Sequence, residues 1–301
     1  MNVLFITGDQ WRASCLSSAG HPLIKTPNLD KLASKGVRFA SHYTQSTPCG
    51  PSRSCLHTST YIHSNSAFDN GSPMTANLTN WANELTNNGY TPKLIGYVDT
   101  VELELSDPKV AKNPDNLLWD GGNLKGLTRL TETDVMGTPE WLQKHNIPLQ
   151  KETMGWNGYR GSNEWQKESV PQSKSKDTKP QAKRAVYSQD ATDTKVLTDR
   201  AIQYIRDESN VTAQPWALHL SLLKPHPPWV ATVPFVNMYT SESVNAKMNK
   251  IRSNNSELEM NLHPWLACVH GVNATEPTRS NSVVDMNDET LDALKATYYA
   301  L

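Results

Sequence analysis

"VLFITGDQ", residues 3–10, decides how the rest of the chain is read. An unbroken apolar, β-prone run stops at Gly8-Asp9. A continuous run of this kind, bounded by a turn signal, is the pattern of a buried parallel strand covered on both faces. In parallel α/β sheets ligands bind outside the carboxyl ends of the strands, so Asp9 stands where a ligand group is expected. Gln10 adds a neutral oxygen beside it. By itself Asp9 also reads as an acid that caps its own loop.

Outward from this stretch, strand and helix patterns alternate. "TPNLDKLASKG" (26–36) carries Thr26 as N-cap, Pro27 at the first helical position and Gly36 as terminator. "VRFASHY" (37–43) can return as a second strand or an extended segment. "NLTNWANELTNNGY" (77–90) places Leu78, Trp81 and Leu85 at helical spacing and stops at Asn88-Gly89. "PKLIGY" (92–97) reads as another buried strand. "DTKVLTDRAIQYIRDES" (193–209) gives a helical stripe of Val196, Leu197, Ala201, Ile202 and Ile205. "WALHLSLL" (216–223) is a strand that "KPHPPW" breaks. This alternation predicts an α/β domain with a mainly parallel central sheet flanked by helices, the three apolar strands lying in one sheet. Residues 100–190 read as an irregular insertion, with "QSKSKDTKPQAKR" (172–184) a solvated loop. "NDETLDALKATYYAL" (287–301) opens as a helix capped by Asn287 or Asp288. Its stripe of Leu291, Leu294, Tyr298 and Leu301 is still running at the last residue, which predicts an exposed apolar face and a truncated chain.

Composition excludes several classes. The 301 residues carry 29 Lys+Arg and 30 Asp+Glu, a formal net charge of −1, so no basic excess points to nucleic acid. No run approaches the ~18 apolar residues of a membrane span. Four cysteines without a CxxC pair, and an opening that lacks the features of a signal peptide, predict a cytoplasmic protein.

"TPCGPSRSCLHT" (47–58) holds the sharpest chemical signal. Turn residues precede an apolar-periodic stretch from about Ser52, which places Cys49 just before a helix N-terminus. There the free N–H groups and the helix dipole favour an anion. Arg53 follows one turn later. The competing reading is a small buried cysteine at a turn.

This stretch resembles the signature of the sulfatase family, Cys-x-Pro-Ser-Arg followed by a Leu-Thr-Gly element. "NVLFITGDQWR", "KTPNLDKLASKGVRF" and "LKPHPPW" resemble the family in order and spacing. Asp-Gln after the first strand and Cys-Gly-Pro at the nucleophile resemble its phosphonate monoester hydrolase and phosphodiesterase branch. The resemblance covers most of residues 1–100 and 190–301. It implies an alkaline-phosphatase-like fold and a metal-dependent hydrolase of sulfate, phosphate or phosphonate esters. Cys49 is then oxidised to formylglycine, which serves as nucleophile and metal ligand. Asp9 and Gln10 are implied as ligands of one divalent cation, calcium or manganese, with magnesium a third candidate. Arg53 is implied to support the nucleophile and the substrate oxyanion. Lys224 and His226 are implied to bind the transferred group and protonate the leaving oxygen. Asn70, Tyr97 and Asp99 fall where that branch contacts substrate, Asp99 standing where a Thr is expected. The implied partners are a small-molecule ester and a formylglycine-generating enzyme, with no nucleic acid and no membrane. Homo-oligomerisation is left open. His21, His42, His57 and His63 read as structural or surface residues.

Two departures stand out. In "CLHTST" His57 replaces the second Leu of the family element and Ser59 replaces its Gly. The family's later Asp-His-Gly element and downstream Lys are not found, and Asp285, Asp288 and Asp292 are not followed by His. The alternative reading is therefore a truncated, catalytically inactive relic or binding protein.

Overall fold

The computed structural model describes residues 1–70, 72, 74–75, 78–98, 100, 102–103, 124–130, 183–185, 188–211, 214–226, 229–248 and 288–301. Its strands are β1 (Val3–Gly8), β2 (Met74–Thr75), β3 (Lys93–Gly96), β4 (Glu102–Leu103), β5 (Thr128–Arg129), β6 (Lys183–Arg184), β7 (Ala217–Leu222) and β8 (Val230–Ala231). Its α-helices are α1 (Pro27–Ala33), α2 (Cys49–Thr58), α3 (Ile62–Asn65), α4 (Trp81–Asn87), α5 (Asp193–Val211), α6 (Ser241–Met248) and α7 (Asp288–Tyr299). None is long and apolar enough to cross a membrane. The chain forms two compact units. The first takes Met1–Trp11, Phe39–Arg160 and Gln189–His226, and the second takes Arg12–Arg38, Gly161–Ser188 and Pro227–Leu301.

A sheet of order β1-β7-β3-β5 carries the first unit, and every pairing in it is parallel. The three apolar runs thus share one sheet as expected. Thr128-Arg129 adds a strand that the sequence pattern does not mark. Since all strands run one way, Gly8, Gly96 and Leu222 end at the same edge. The register pairs Phe5 and Leu94 with His219, and Thr7 and Gly96 with Ser221.

Side chains alternate across the sheet, giving β7 two different faces. Leu218 and Leu220, with Ile95 of β3, pack on Ala201 of α5 and its neighbours Leu197, Tyr204 and Ile205. Each such buried aliphatic side chain contributes about 1.5–3 kcal/mol. Tyr204 takes the place in this stripe that the periodicity gave to Ile202, which is exposed. The other face of β7 is polar. His219 stacks on Phe5 with centroids 4.5 Å apart, and Trp81 of α4 meets both rings edge-on.

β1 departs from the expectation of burial on both faces. β1 lies at the end of the sheet, and Leu4 and Ile6 remain 44% and 53% exposed. α4 starts at Trp81, so Leu78 of the expected stripe lies before it, and Asn80 caps the helix by accepting hydrogen bonds from Ala82 N at 2.9 Å and Asn83 N at 3.0 Å. It ends at Asn88-Gly89, where Gly89 is left-handed. "VRFASHY" forms no strand.

In the second unit Thr26 does not cap α1 through its side chain. Its Oγ1 donates to Asp30 Oδ1 at 3.1 Å and accepts from Ser17 N at 3.0 Å. The helix ends at Ala33, before Gly36. Of the loop expected over 172–184, Lys183-Arg184 pairs in parallel with β8, and the remainder lies outside the described residues. α7 corrects the expectation of an exposed stripe. Leu294 is 3% exposed, and Ala296 packs with Tyr239 and Val244 against Leu23, Met248 and Tyr299. The helix packs along α6.

Gly96 fixes how closely β3 approaches β7. Its φ of +107° lies in the region that favours glycine, and a Cβ there would stand 2.0 Å from the carbonyl oxygen of Ser221. Gly96→Ala is therefore expected to cost about 3 kcal/mol through overpacking and backbone strain together. Urea denaturation of parent and variant measures this, and an unchanged midpoint would contradict the close approach.

Candidate active site

Asp9 extends the β1–β7 ladder by one residue, its N–H donating to Leu222 O at 3.0 Å. That bond holds its carboxylate at the C-terminal edge of the sheet, where the residue is only 8% exposed. Tyr97, just past the end of β3, donates its hydroxyl to Asp9 Oδ2. Arg53 of α2 reaches the same carboxylate, with Nη2 3.7 Å from Oδ2. The guanidinium lies over the Tyr97 ring at 4.2 Å and directs Nη1 to Ser221 Oγ at 3.1 Å and Val98 O at 3.4 Å. Burying a charge costs several kcal/mol unless it is paired and hydrogen-bonded. Here the buried guanidinium has a carboxylate, an aromatic face and backbone and hydroxyl acceptors. Gln10 follows with a left-handed φ of +61° and is exposed.

Cys49 is the first residue of α2 rather than the one before it, and Pro48 offers the helix no side-chain cap. Asn70, from the turn after α3, supplies that function from a distance. Its Oδ1 accepts from Gly50 N at 2.9 Å, and its Nδ2 lies 3.4 Å from Cys49 Sγ. One side chain thus satisfies an orphan N–H of the helix start and touches the thiol. Cys49 and Arg53, four residues apart, share a helix face. Cys55 is buried beside Asn65 Nδ2 at 3.3 Å. Ser59 ends the helix with a left-handed φ of +57°, the conformation for which the family pattern has glycine.

Lys224 and His226 share the turn after β7. His226 N donates to Leu223 O at 2.9 Å, and Lys224 Nζ lies 3.5 Å from His226 O. Burial pulls the Lys224 pKa below the ordinary lysine range, and the nearby Asp193 carboxylate partly opposes this. Asp9, Arg53 and Tyr97 are therefore in mutual contact, as are Cys49 and Asn70. Asp99 lies outside the described residues. For a cation, Asp9 and Gln10 offer one carboxylate and one amide oxygen. Among the described residues no three His, Cys, Asp or Glu side chains cluster as a metal site would. A hard divalent ion takes about six oxygens, so these donors fit one side of such a site without completing it.

Sequence reasoning overlooked the layer beneath. Thr7, His57, His219 and Ser221 lie under Arg53 and are polar. The alternation in "LHLSLL" carries the signal, since His and Ser recur at every second position between leucines. His57, where the family pattern has Leu, is fully buried and accepts a hydrogen bond from Trp81 Nε1 at 2.8 Å.

A family model described as Sulfatase matches residues 1–288. The multifunctional alkaline phosphatase superfamily protein PehA of Trinickia caryophylli is 30% identical over 278 residues, which is 88% of this chain and 49% of PehA. The crystal structure of the phosphonate monoester hydrolase of Agrobacterium radiobacter aligns with a TM-score of 0.75 at 30% identity, over 99% of this chain and 56% of that one. The phosphonate monoester hydrolase SpPMH from Silicibacter pomeroyi aligns with a TM-score of 0.73 at 29% identity, over 100% of this chain and 56% of that one. The chain spans about half the length of these relatives, and over that half the parallel sheet and its helices have the same fold.

The buried histidines make stability depend on pH. Burial, with the nearby Arg53 charge adding to it, lowers His57 to about 3. Burial, then His57 and Arg53, lowers His219 to about 2. Both titrate near 6.5 in an unfolded chain. Between these values the unfolded state binds protons that the folded state refuses. This contribution is fully present above pH 6.5 and is lost as pH falls below it, by up to about 1.4 kcal/mol per unit for each histidine. Denaturant midpoints measured from pH 7.5 to pH 5 should fall steeply for the parent. They should fall by roughly one histidine less for His57→Leu. Equal slopes would show that His57 is not held neutral.

Proposed function

The chain belongs to the sulfatase family, and on that premise we propose that it serves the hydrolysis of sulfate or phosphonate esters, with Cys49 as the source of the nucleophile. The observation that carries this reading is the contact of Asp9, Arg53 and Tyr97 at the sheet edge. Arg53 shares one helix face with Cys49, whose sulfur rests on Asn70. An anionic ester needs a fixed cation facing the nucleophile, because charge builds on its oxygens as the bond to the leaving group breaks.

Members of this family generally use a formylglycine made from the signature cysteine and a divalent cation. When present, formylglycine supplies a hydrated aldehyde whose oxygen attacks the ester and whose second hydroxyl later expels the bound anion. The chain's own residues have separate tasks. Asn70 holds the first turn of α2 and sets the position of residue 49. Arg53 binds a non-bridging oxygen of the ester. Asp9, with Gln10, would hold the cation. Lys224 and His226 attend the leaving group. Burial makes Lys224 a readier proton donor than an ordinary lysine. Tyr97 and Asn70, with Asp99 where a Thr is expected, line the substrate side. A formylglycine-generating enzyme is the partner this requires. Two phosphonate monoester hydrolases align with nearly the whole chain, which favours phosphonate monoesters as the first substrates to assay. No observation favours a non-catalytic relic or binding protein over hydrolysis.

The test is turnover of an aryl phosphonate monoester and an aryl sulfate with added Mn²⁺ or Ca²⁺. Cys49→Ala should lower turnover by about 10³-fold or more, because it removes the nucleophile outright. Cys55→Ala, six residues along the same helix and facing Asn65, should retain most of it. Equal loss in both would mean that folding is being measured, and no loss in either would remove Cys49 from the chemistry.

A further inference from the structure

Arg53 is held from below by a row of side chains that no step of the proposed reaction uses. Ser221 Oγ receives two donors, Arg53 Nη1 at 3.1 Å and Thr7 Oγ1 at 3.1 Å. Thr7 has one hydroxyl proton, and it is given to Ser221. The 3.1 Å contact between Thr7 Oγ1 and His219 Nε2 therefore has the imidazole donating and the hydroxyl accepting. That fixes His219 as the neutral tautomer protonated on Nε2. His57 is fixed the other way round, because its Nδ1 accepts from Trp81 Nε1 and its proton must sit on Nε2. His219 Nδ1 and His57 Nε2 are both buried without a partner among the described residues. One is an acceptor and the other a donor, on rings 5.7 Å apart.

The polarity of this row has a consequence for the arginine. A serine hydroxyl can rotate, and its oxygen meets a guanidinium well only when its lone pairs face it. The proton from Thr7 arrives on one side of Ser221 Oγ and leaves the other side to Arg53. Because His219 Nε2 donates to Thr7 Oγ1, the Thr7 proton is not drawn toward the imidazole and stays directed at Ser221. Each member is locked by the next, and the row lies on the polar faces of β1 and β7 in direct cross-strand register.

We infer that Ser221, oriented through Thr7 by His219, is a positioning residue that sets the direction in which Arg53 presents its guanidinium to an oxyanion. This rests on the proposal that Arg53 binds the ester's oxygens. The buried pair of histidines is then part of the site's support. Ser221 touches neither substrate nor nucleophile, and acts only through the arginine.

Binding of inorganic phosphate, followed by calorimetry, tests the inference without requiring turnover or a modified Cys49. Ser221→Ala should weaken phosphate binding about tenfold, the scale of one hydrogen bond to a charged group. Ser221→Thr, which keeps the oxygen, should restore binding to within about twofold. Thr7→Val keeps the shape of its side chain and the strand, so it tests the relay in a protein that folds. It should weaken binding in the same direction as Ser221→Ala, while the thermal midpoint of Ser221→Thr stays that of the parent. Phosphate binding unchanged in Ser221→Ala, or lost equally in Ser221→Thr, would overturn the inference while leaving the oxyanion site in place. A parent protein that binds no phosphate would overturn the oxyanion reading of Arg53 itself, and this inference with it.

Discussion

At the C-terminal edge of the sheet, the ends of three strands meet around one buried cation. Arg53 lies in the interior of a sheet edge, where an unpaired guanidinium would be prohibitive. It is tolerated because three strands end there. β1 delivers Asp9, β3 delivers the Tyr97 ring and the carbonyl of Val98, and β7 delivers Ser221. Removing one partner leaves the others facing an unmatched charge, so the strand order and the position of α2 are tied to a single side chain. The parallel direction of the sheet makes this possible by bringing all three strand ends to the same side.

The same constraint explains details that otherwise look unrelated. Gly96 has no side chain because β3 must lie against β7 where Ser221 meets Arg53. β7 is apolar on the face that packs α5 and polar on the face beneath α2, so its histidine and serine belong to the site's support while its leucines belong to the core. Asn70 secures the start of α2, which sets how far along the helix Arg53 stands from the edge. Cys49 is thereby placed one turn from a cation whose own position is fixed by the sheet.

Much of this was legible in the sequence. Apolar β-prone runs marked β1, β3 and β7, and Asn88-Gly89 marked the end of α4. The Cys-Gly-Pro-Ser-Arg stretch pointed to α2 and its arginine. What escaped was decided by tertiary context. β1 looked like a doubly covered strand, yet Leu4 and Ile6 remain exposed because its place at the sheet's end is a property of topology. The stripe of α7 looked unpartnered, yet Leu294 is buried and the helix packs along α6, a segment distant in sequence. The support of Arg53 was hidden for a simpler reason. A histidine and a serine alternating with leucines in a strand signal a polar face, but only the register with Thr7 and the reach of Arg53 give that face a purpose.

We propose that residue 49, held beside this fixed cation, is the precursor of a nucleophile. Peptide mass spectrometry after thiol alkylation tests this, using protein produced together with a formylglycine-generating enzyme. The expected result is an aldehyde, reactive to hydrazine probes, at position 49 and an alkylated thiol at Cys55. A fully alkylated Cys49, with no aldehyde at that position, would contradict it.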